Sequence, residues 1–130
     1  MDVGKVAAHE DQAMTDCIFC RIGRGEIPSS KVYEDDEILA FHDINPQSAV
    51  HFMLIPKKHI GSLEDAGADD VPLLGRMLAM TARLAREQGS PDGFRTVINT
   101  GRIGRQEVMH LHIHVVGGTE QLGRMLPPRN

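Results

Sequence analysis

The run His110-Leu111-His112-Ile113-His114-Val115-Val116 constrains this chain more than any other segment. In an extended strand successive side chains point to opposite faces, so the three imidazoles share one face and Leu111, Ile113 and Val115 share the other. The apolar face has to pack under other structure, and the histidine face has to meet solvent, a metal or a ligand. Adjacent imidazoles repel when protonated, and each needs partners when buried, so a trio at period two is a poor choice for inert packing. Two chemistries suit it. Three imidazoles can form a facial metal cluster. Alternatively, one ring attacks phosphorus while its neighbours donate to the phosphoryl oxygens and the leaving group. Spacing alone leaves the two level.

The rest of the chain supplies a frame for such a strand. Its 130 residues suit one domain. Met1 to Thr15 is polar and aperiodic and reads as a mobile arm, leaving residues 16–130 as the domain. Cys17 to Gly25 reads as one or two helical turns with Ile18, Phe19 and Ile22 on one side. Lys31–Tyr33 and Ile38–Phe41 flank the turn Glu34–Glu37 as a hairpin, and His51–Ile55 is a short strand stopped by Pro56. A capped turn at Ser62–Asp65 precedes one long helix from about Asp70 to Gln88, with Asp69 or Asp70 as cap, Pro72 in the first turn and Gly89 at the exit. Val71, Leu74, Leu78 and Ala85 make its packed face, widened by Leu73, Met77, Met80 and Leu84. Arg95–Ile98 and Val108–Val116 are the remaining strands, joined by the loop Thr100–Arg105. Strands grouped around one main helix predict an α+β fold with an antiparallel sheet.

A net charge of −4, with no block of Lys or Arg, argues against a nucleic-acid groove but not against one small anionic ligand. No apolar run is long enough to cross a bilayer, and the N-terminus lacks the apolar stretch of a signal peptide, so a cytoplasmic protein without membrane contact is expected. In that reducing setting Cys17-Ile18-Phe19-Cys20 reads as metal or redox chemistry rather than a structural disulfide. The redox reading needs a βαβ context that is missing here, and two buried unliganded thiols are the plainer alternative.

The histidine run resembles the His-φ-His-φ-His-φ-φ signature of the histidine triad superfamily. Ile18-Phe19, Glu26-Ile27-Pro28, Leu39 to Ile44, Pro46-Gln47 and Ile55 to Ile60 resemble its Hint branch of nucleoside phosphoramidases, as do Asn99 and Gln106. The resemblance covers roughly Asp16 to Pro128. It implies a histidine triad fold: a five-stranded antiparallel sheet with one long helix, extended across a homodimer. It also implies a purine nucleotide as ligand and hydrolysis of a nucleoside 5′-phosphoramidate.

By the same resemblance His112 is the nucleophile, and its tautomer is set by the carbonyl of His110. His114 and Asn99 hold the phosphate, while His51 and His110 orient protons. Asp43 anchors the ribose, although a turn-capping role is the plainer reading of that residue alone. Ile18, Phe19, Phe41, His42 and Ile44 make the base slot, and Gln106, Glu107 and Val108 complete the nucleotide site. Cys17, Cys20, His59 and His110 match the ligands of a structural zinc, with no cofactor needed for catalysis. Two departures stand out. Glu107 replaces a usual serine and Arg105 a usual glycine, and the C-terminus lacks a tryptophan often found there. A dinucleoside polyphosphate hydrolase or nucleotidyltransferase of the same superfamily is one rival, and a weakly active nucleotide-binding partner protein is another.

Overall fold

The computed structural model describes residues 17–126; the Met1–Thr15 segment read as an arm lies outside them. The first helix, α1 (Ile18–Gly23), is capped by the Cys17 sulfur, which accepts the N–H of Cys20 at 3.3 Å. Phe19, Cys20 and Ile22 are its buried residues. Ile18, expected on the same side, is 47% exposed. Cys20 turns inward and swings the buried arc of this short helix away from it.

The hairpin of β1 (Lys31–Glu34) and β2 (Ile38–His42) closes as expected. Asp35 Oδ1 accepts the N–H groups of Glu37 and Ile38, both at 2.8 Å, which is the local reason the chain reverses there. Then come β3 (Val50–Pro56), two short 3₁₀ turns (Leu63–Asp65 and Ala68–Asp70) and the long helix α2 (Val71–Glu87). The last strands are β4 (Arg95–Val97) and β5 (Ile113–Gly117). They form one sheet, ordered β1-β2-β3-β5-β4, and every neighbouring pair is antiparallel. The expected α+β fold with a five-stranded sheet and one long helix is therefore present.

The central strands are buried on both faces, which explains their unbroken apolar runs. Toward α2 they present Ile38, Ala40, Phe52, Leu54, Ile113 and Val115. Toward α1 they present Leu39, Phe41, Met53 and Ile55, a smaller cluster shared with Phe19 and Ile22. Full burial of each Leu, Ile or Phe contributes about 1.5–3 kcal/mol, so the α2 side carries most of the stability.

Two expectations need correction. On α2 the buried residues are Leu73, Met77, Thr81, Leu84 and Ala85, whereas Val71 and Leu78 are 63% and 47% exposed. The helix is rotated from the expected face because Thr81 can sit inside: its hydroxyl donates to the Leu78 carbonyl at 2.7 Å. The final strand begins at Ile113, not Val108. Leu54 pairs with Ile113, so extending the register would set Ile55 against His112 and then Pro56 against Leu111. Proline has no N–H to continue the ladder, and Leu111 donates to the Ile60 carbonyl at 2.7 Å instead.

Candidate active site

The sheet order sets β5 beside β3, with Met53 opposite His114 and His51 opposite Val116. His51 and His114 are thus diagonal neighbours on the face away from α2, with His51 Nε2 3.0 Å from His114 Nδ1. His112 lies next along the chain, its ring centroid 4.9 Å from that of His114. His110 and His112, although ahead of the paired strand, are buried.

Backbone groups determine where the proton sits on each ring, because a carbonyl can only accept and an amide N–H can only donate. The His112 Nδ1–H donates to the His110 carbonyl at 2.7 Å, which leaves Nε2 with a bare lone pair. The His110 Nε2–H donates to the Pro56 carbonyl at 2.7 Å, which leaves Nδ1 bare. The Gln47 N–H donates to His51 Nδ1 at 3.0 Å, so the single proton of a neutral His51 is on Nε2. That proton faces His114 Nδ1, so His114 carries its own on Nε2. Neighbouring members of the triad are therefore held in opposite tautomers: His112 is an Nε2 acceptor and His114 an Nε2 donor.

Burial favours the neutral form of His51, His110 and His114. Burial holds His51 below its ordinary range against the opposing pull of Asp43. Burial also lowers His114, reinforced by His112 and His51 and opposed by Asp43 and Glu107. His110 is pushed down to about 4, mainly by burial, with the Pro56 hydrogen bond opposing.

A cleft of about 530 Å³ opens over this face, within the size range of small-ligand sites. Of the residues expected from sequence, Phe19, Asp43, Ile44, His51, Asn99, Glu107, Val108, His112 and His114 line it. Ile18, Phe41, His42, Gln106 and His110 do not. Phe41 packs edge-on against Phe19, centroids 5.7 Å apart, beneath the slot. The Gln106 amide is spent on the loop: its Nε2 donates to the carbonyls of Gly61 and Val108, and its Oε1 accepts the Gly101 N–H. Sequence reasoning missed Gln47, whose contribution is a backbone amide and so carries no side-chain signal. It also missed Met53, which strand alternation from His51 puts on the same face. Arg105 lines the cleft too, with φ +62 in the left-handed region that favours glycine. A larger open hollow, about 810 Å³, runs between Asp92–Arg95 and Gly117–Arg124 and contains no histidine or cysteine.

Behind the triad, Cys17 Sγ, Cys20 Sγ, His59 Nδ1 and His110 Nδ1 all lie within 4.8 Å of one another. His110 Nδ1 is 3.3 Å from Cys17 Sγ and 3.5 Å from Cys20 Sγ, and His59 Nδ1 is 3.2 Å from Cys20 Sγ. A tetrahedron with Zn–S ~2.3 Å and Zn–N ~2.0 Å has S···N edges of about 3.5 Å, so the set fits zinc. The Pro56 carbonyl on the far nitrogen of His110 is the usual support of a ligating imidazole. Without a cation the Cys20 thiol is pushed up to about 12 by burial and by Cys17, and a bound metal reverses that preference. A second group, Asp43, His51 and His114, is equally close-set. Its donors do not fit a cation, because the Gln47 N–H occupies His51 Nδ1 and leaves a proton on the nitrogen that would have to ligate.

The family model described as "Scavenger mRNA decapping enzyme C-term binding" matches residues 16–125. Protein HitA of Neisseria gonorrhoeae is 51% identical over 104 residues, covering 80% of this chain and 97% of its own length. The crystal structure of a HIT family hydrolase from Legionella pneumophila Philadelphia 1 is 46% identical, covers 81% of this chain and 95% of its own, and superposes with a TM-score of 0.77. A zinc-bound histidine triad family protein from Mycobacterium smegmatis is 36% identical, with 82% and 77% coverage and a TM-score of 0.70.

Proposed function

This chain belongs to the histidine triad family, and from that premise we propose that it is a purine nucleotide-binding hydrolase of the Hint type, cleaving nucleoside 5′-phosphoramidates through a nucleotidyl-histidine. The observation that carries the proposal is the opposed pair of tautomers, a bare His112 Nε2 beside a protonated His114 Nε2. One member can attack phosphorus while the other donates to the phosphoryl oxygen that gains charge.

In the first half-reaction the His112 Nε2 lone pair forms a bond to the α-phosphorus. The P–N bond breaks, its electron pair leaves with the nitrogen, and that nitrogen takes a proton from solvent to depart as an amine. In the second half water attacks the same phosphorus, the N–P bond returns its pair to His112, and the water's proton goes back to solvent. His114 donates a hydrogen bond throughout without giving up its proton, assisted by the Asn99 amide. Asp43 accepts from the ribose hydroxyls, and Phe19, Ile44 and Val108 flank the base.

Glu107 lines the cleft and acts electrostatically on His114. An anionic polyphosphate leaving group would meet repulsion there, whereas an amine would not, and this favours the phosphoramidate over a dinucleoside polyphosphate. Cys17, Cys20, His59 and His110 hold a structural zinc, which ties α1 and its Phe19 to the sheet and leaves the chemistry to the histidines. The unit comprises residues 16–130 and acts as a homodimer, for which β4 offers an edge of the sheet.

The test is incubation with adenosine 5′-phosphoramidate. AMP and ammonia released in equal amounts support the reading. Release from a dinucleoside polyphosphate but not from the phosphoramidate would replace it with the rival hydrolase.

A further inference from the structure

The Asp43 carboxylate stands where two hydrogen-bond systems meet. Its Oδ1 accepts the Asn45 N–H at 2.8 Å, which fixes the loop after β2. Its Oδ2 lies 3.4 Å from His51 Nε2, the nitrogen that also meets His114 Nδ1 at 3.0 Å. Since the Gln47 N–H already occupies His51 Nδ1, His51 has one ring proton, which it donates to His114 Nδ1 while the nearby Asp43 carboxylate attracts it electrostatically. The stronger the pull of the carboxylate, the weaker the bond to His114 Nδ1. A weaker bond there makes the His114 Nε2–H a poorer donor, because bonds in such a chain polarise one another. Asp43 lines the cleft, so a ligand group that reaches its carboxylate changes how the His51 proton is shared.

From this shared proton we infer that Asp43 is a positioning residue for the chemical step as well as a sugar contact. Vicinal hydroxyls donating to its carboxylate release the His51 proton fully to His114, and His114 then donates more strongly to the phosphoryl oxygen. The inference rests on the nucleotide reading above and narrows the substrate class to nucleotides with a free 2′,3′-diol, selected in turnover as well as in affinity. The other groups facing His114 are His112, Glu107 and the apolar Met53. No proton changes residue, and the ring proton stays on His51 Nε2 throughout.

Steady-state kinetics with adenosine 5′-phosphoramidate and its 2′,3′-dideoxy counterpart test this on the wild type and His51→Phe. The dideoxy compound should raise KM and also lower wild-type kcat about five- to tenfold, the worth of one strengthened hydrogen bond. In His51→Phe, where the link is cut, kcat is low for both sugars and the dideoxy effect is confined to KM. A wild-type kcat that ignores the sugar while KM responds overturns the coupling and leaves Asp43 as a ribose contact. Indifference of both constants removes the ribose contact itself. A second readout needs no turnover and no variant: imidazole ¹⁵N–¹H spectra of wild-type protein with AMP or 2′,3′-dideoxy-AMP. The His51 Nε2–H resonance should move further downfield with AMP, and identical spectra in the two complexes contradict the inference.

Discussion

Glu107 sits at the cleft where a neutral hydroxyl could donate a hydrogen bond and an ionised carboxylate can only accept. No ion pair joins it to Arg105 among the described residues, although both line the cleft. Glu107→Ser is expected to raise phosphoramidate turnover about tenfold, equivalent to one new transition-state bond of ~1.4 kcal/mol. A slower, correctly folded variant that also loses a limb of its pH profile would instead make Glu107 the acid for the leaving amine. The imidazoles give a second residue-scale expectation. Burial lowers both His51 and His114 from the ordinary 6.5, so the neutral, hydrogen-bonded forms persist as pH falls through that value and are lost only below it. Accordingly the imidazole ¹⁵N resonances of His51 and His114 should keep their neutral-ring positions from pH 7 to 6.5 and move only at lower pH. A change already complete by pH 6.5 contradicts the neutral chain from Gln47 to His114.

At the level of elements, α2 gives the sharpest test of packing. Met77 is fully buried and Leu78 is 47% exposed, so Met77→Ala should cost about 2–5 kcal/mol and Leu78→Ala under about 1 kcal/mol. Urea unfolding of both variants measures this, and the reverse order would restore the helix face expected from sequence. That face was misjudged because periodicity counts apolar residues and gives no credit to a threonine that satisfies its own hydroxyl. The loop before the triad is tighter than its composition suggests. A Cβ at Gly104 would lie 2.5 Å from the Thr100 carbonyl oxygen and 2.7 Å from its nitrogen. Gly104→Ala should therefore raise KM by displacing Arg105 and Glu107, with a stability loss of about 1–3 kcal/mol. The strand boundary was lost for a different reason. Alternation from His110 to Val116 describes side-chain direction correctly, but the ladder depends on a partner N–H that Pro56 lacks.

Across the whole molecule, the histidine face was legible from its strict alternation, the sheet from short apolar runs bounded by turns, and the long helix from its caps and apolar content. The convergence of Cys17 and Cys20 with His59 and His110 was legible only through resemblance, since contacts across 93 and 90 residues leave no local pattern. The hydrogen bond that sets His114 was not legible at all, because its source is the main chain of Gln47. Protein purified without chelator should contain about one zinc per chain, and Cys17→Ser/Cys20→Ser should lose it with a lower Tm. Metal-free wild type whose Tm is unmoved by added zinc would leave the four side chains as buried thiols and imidazoles. All of these features serve one claim, that His112 attacks phosphorus. The direct measurement is acid-free quenching of the enzyme during turnover of adenosine 5′-phosphoramidate, followed by mass spectrometry of its peptides. The expected result is an adenylyl group on His112 in the wild type, with His112→Ala carrying none and losing turnover while still binding AMP. Near-normal turnover in His112→Ala, or an adenylyl group on another residue, would contradict it.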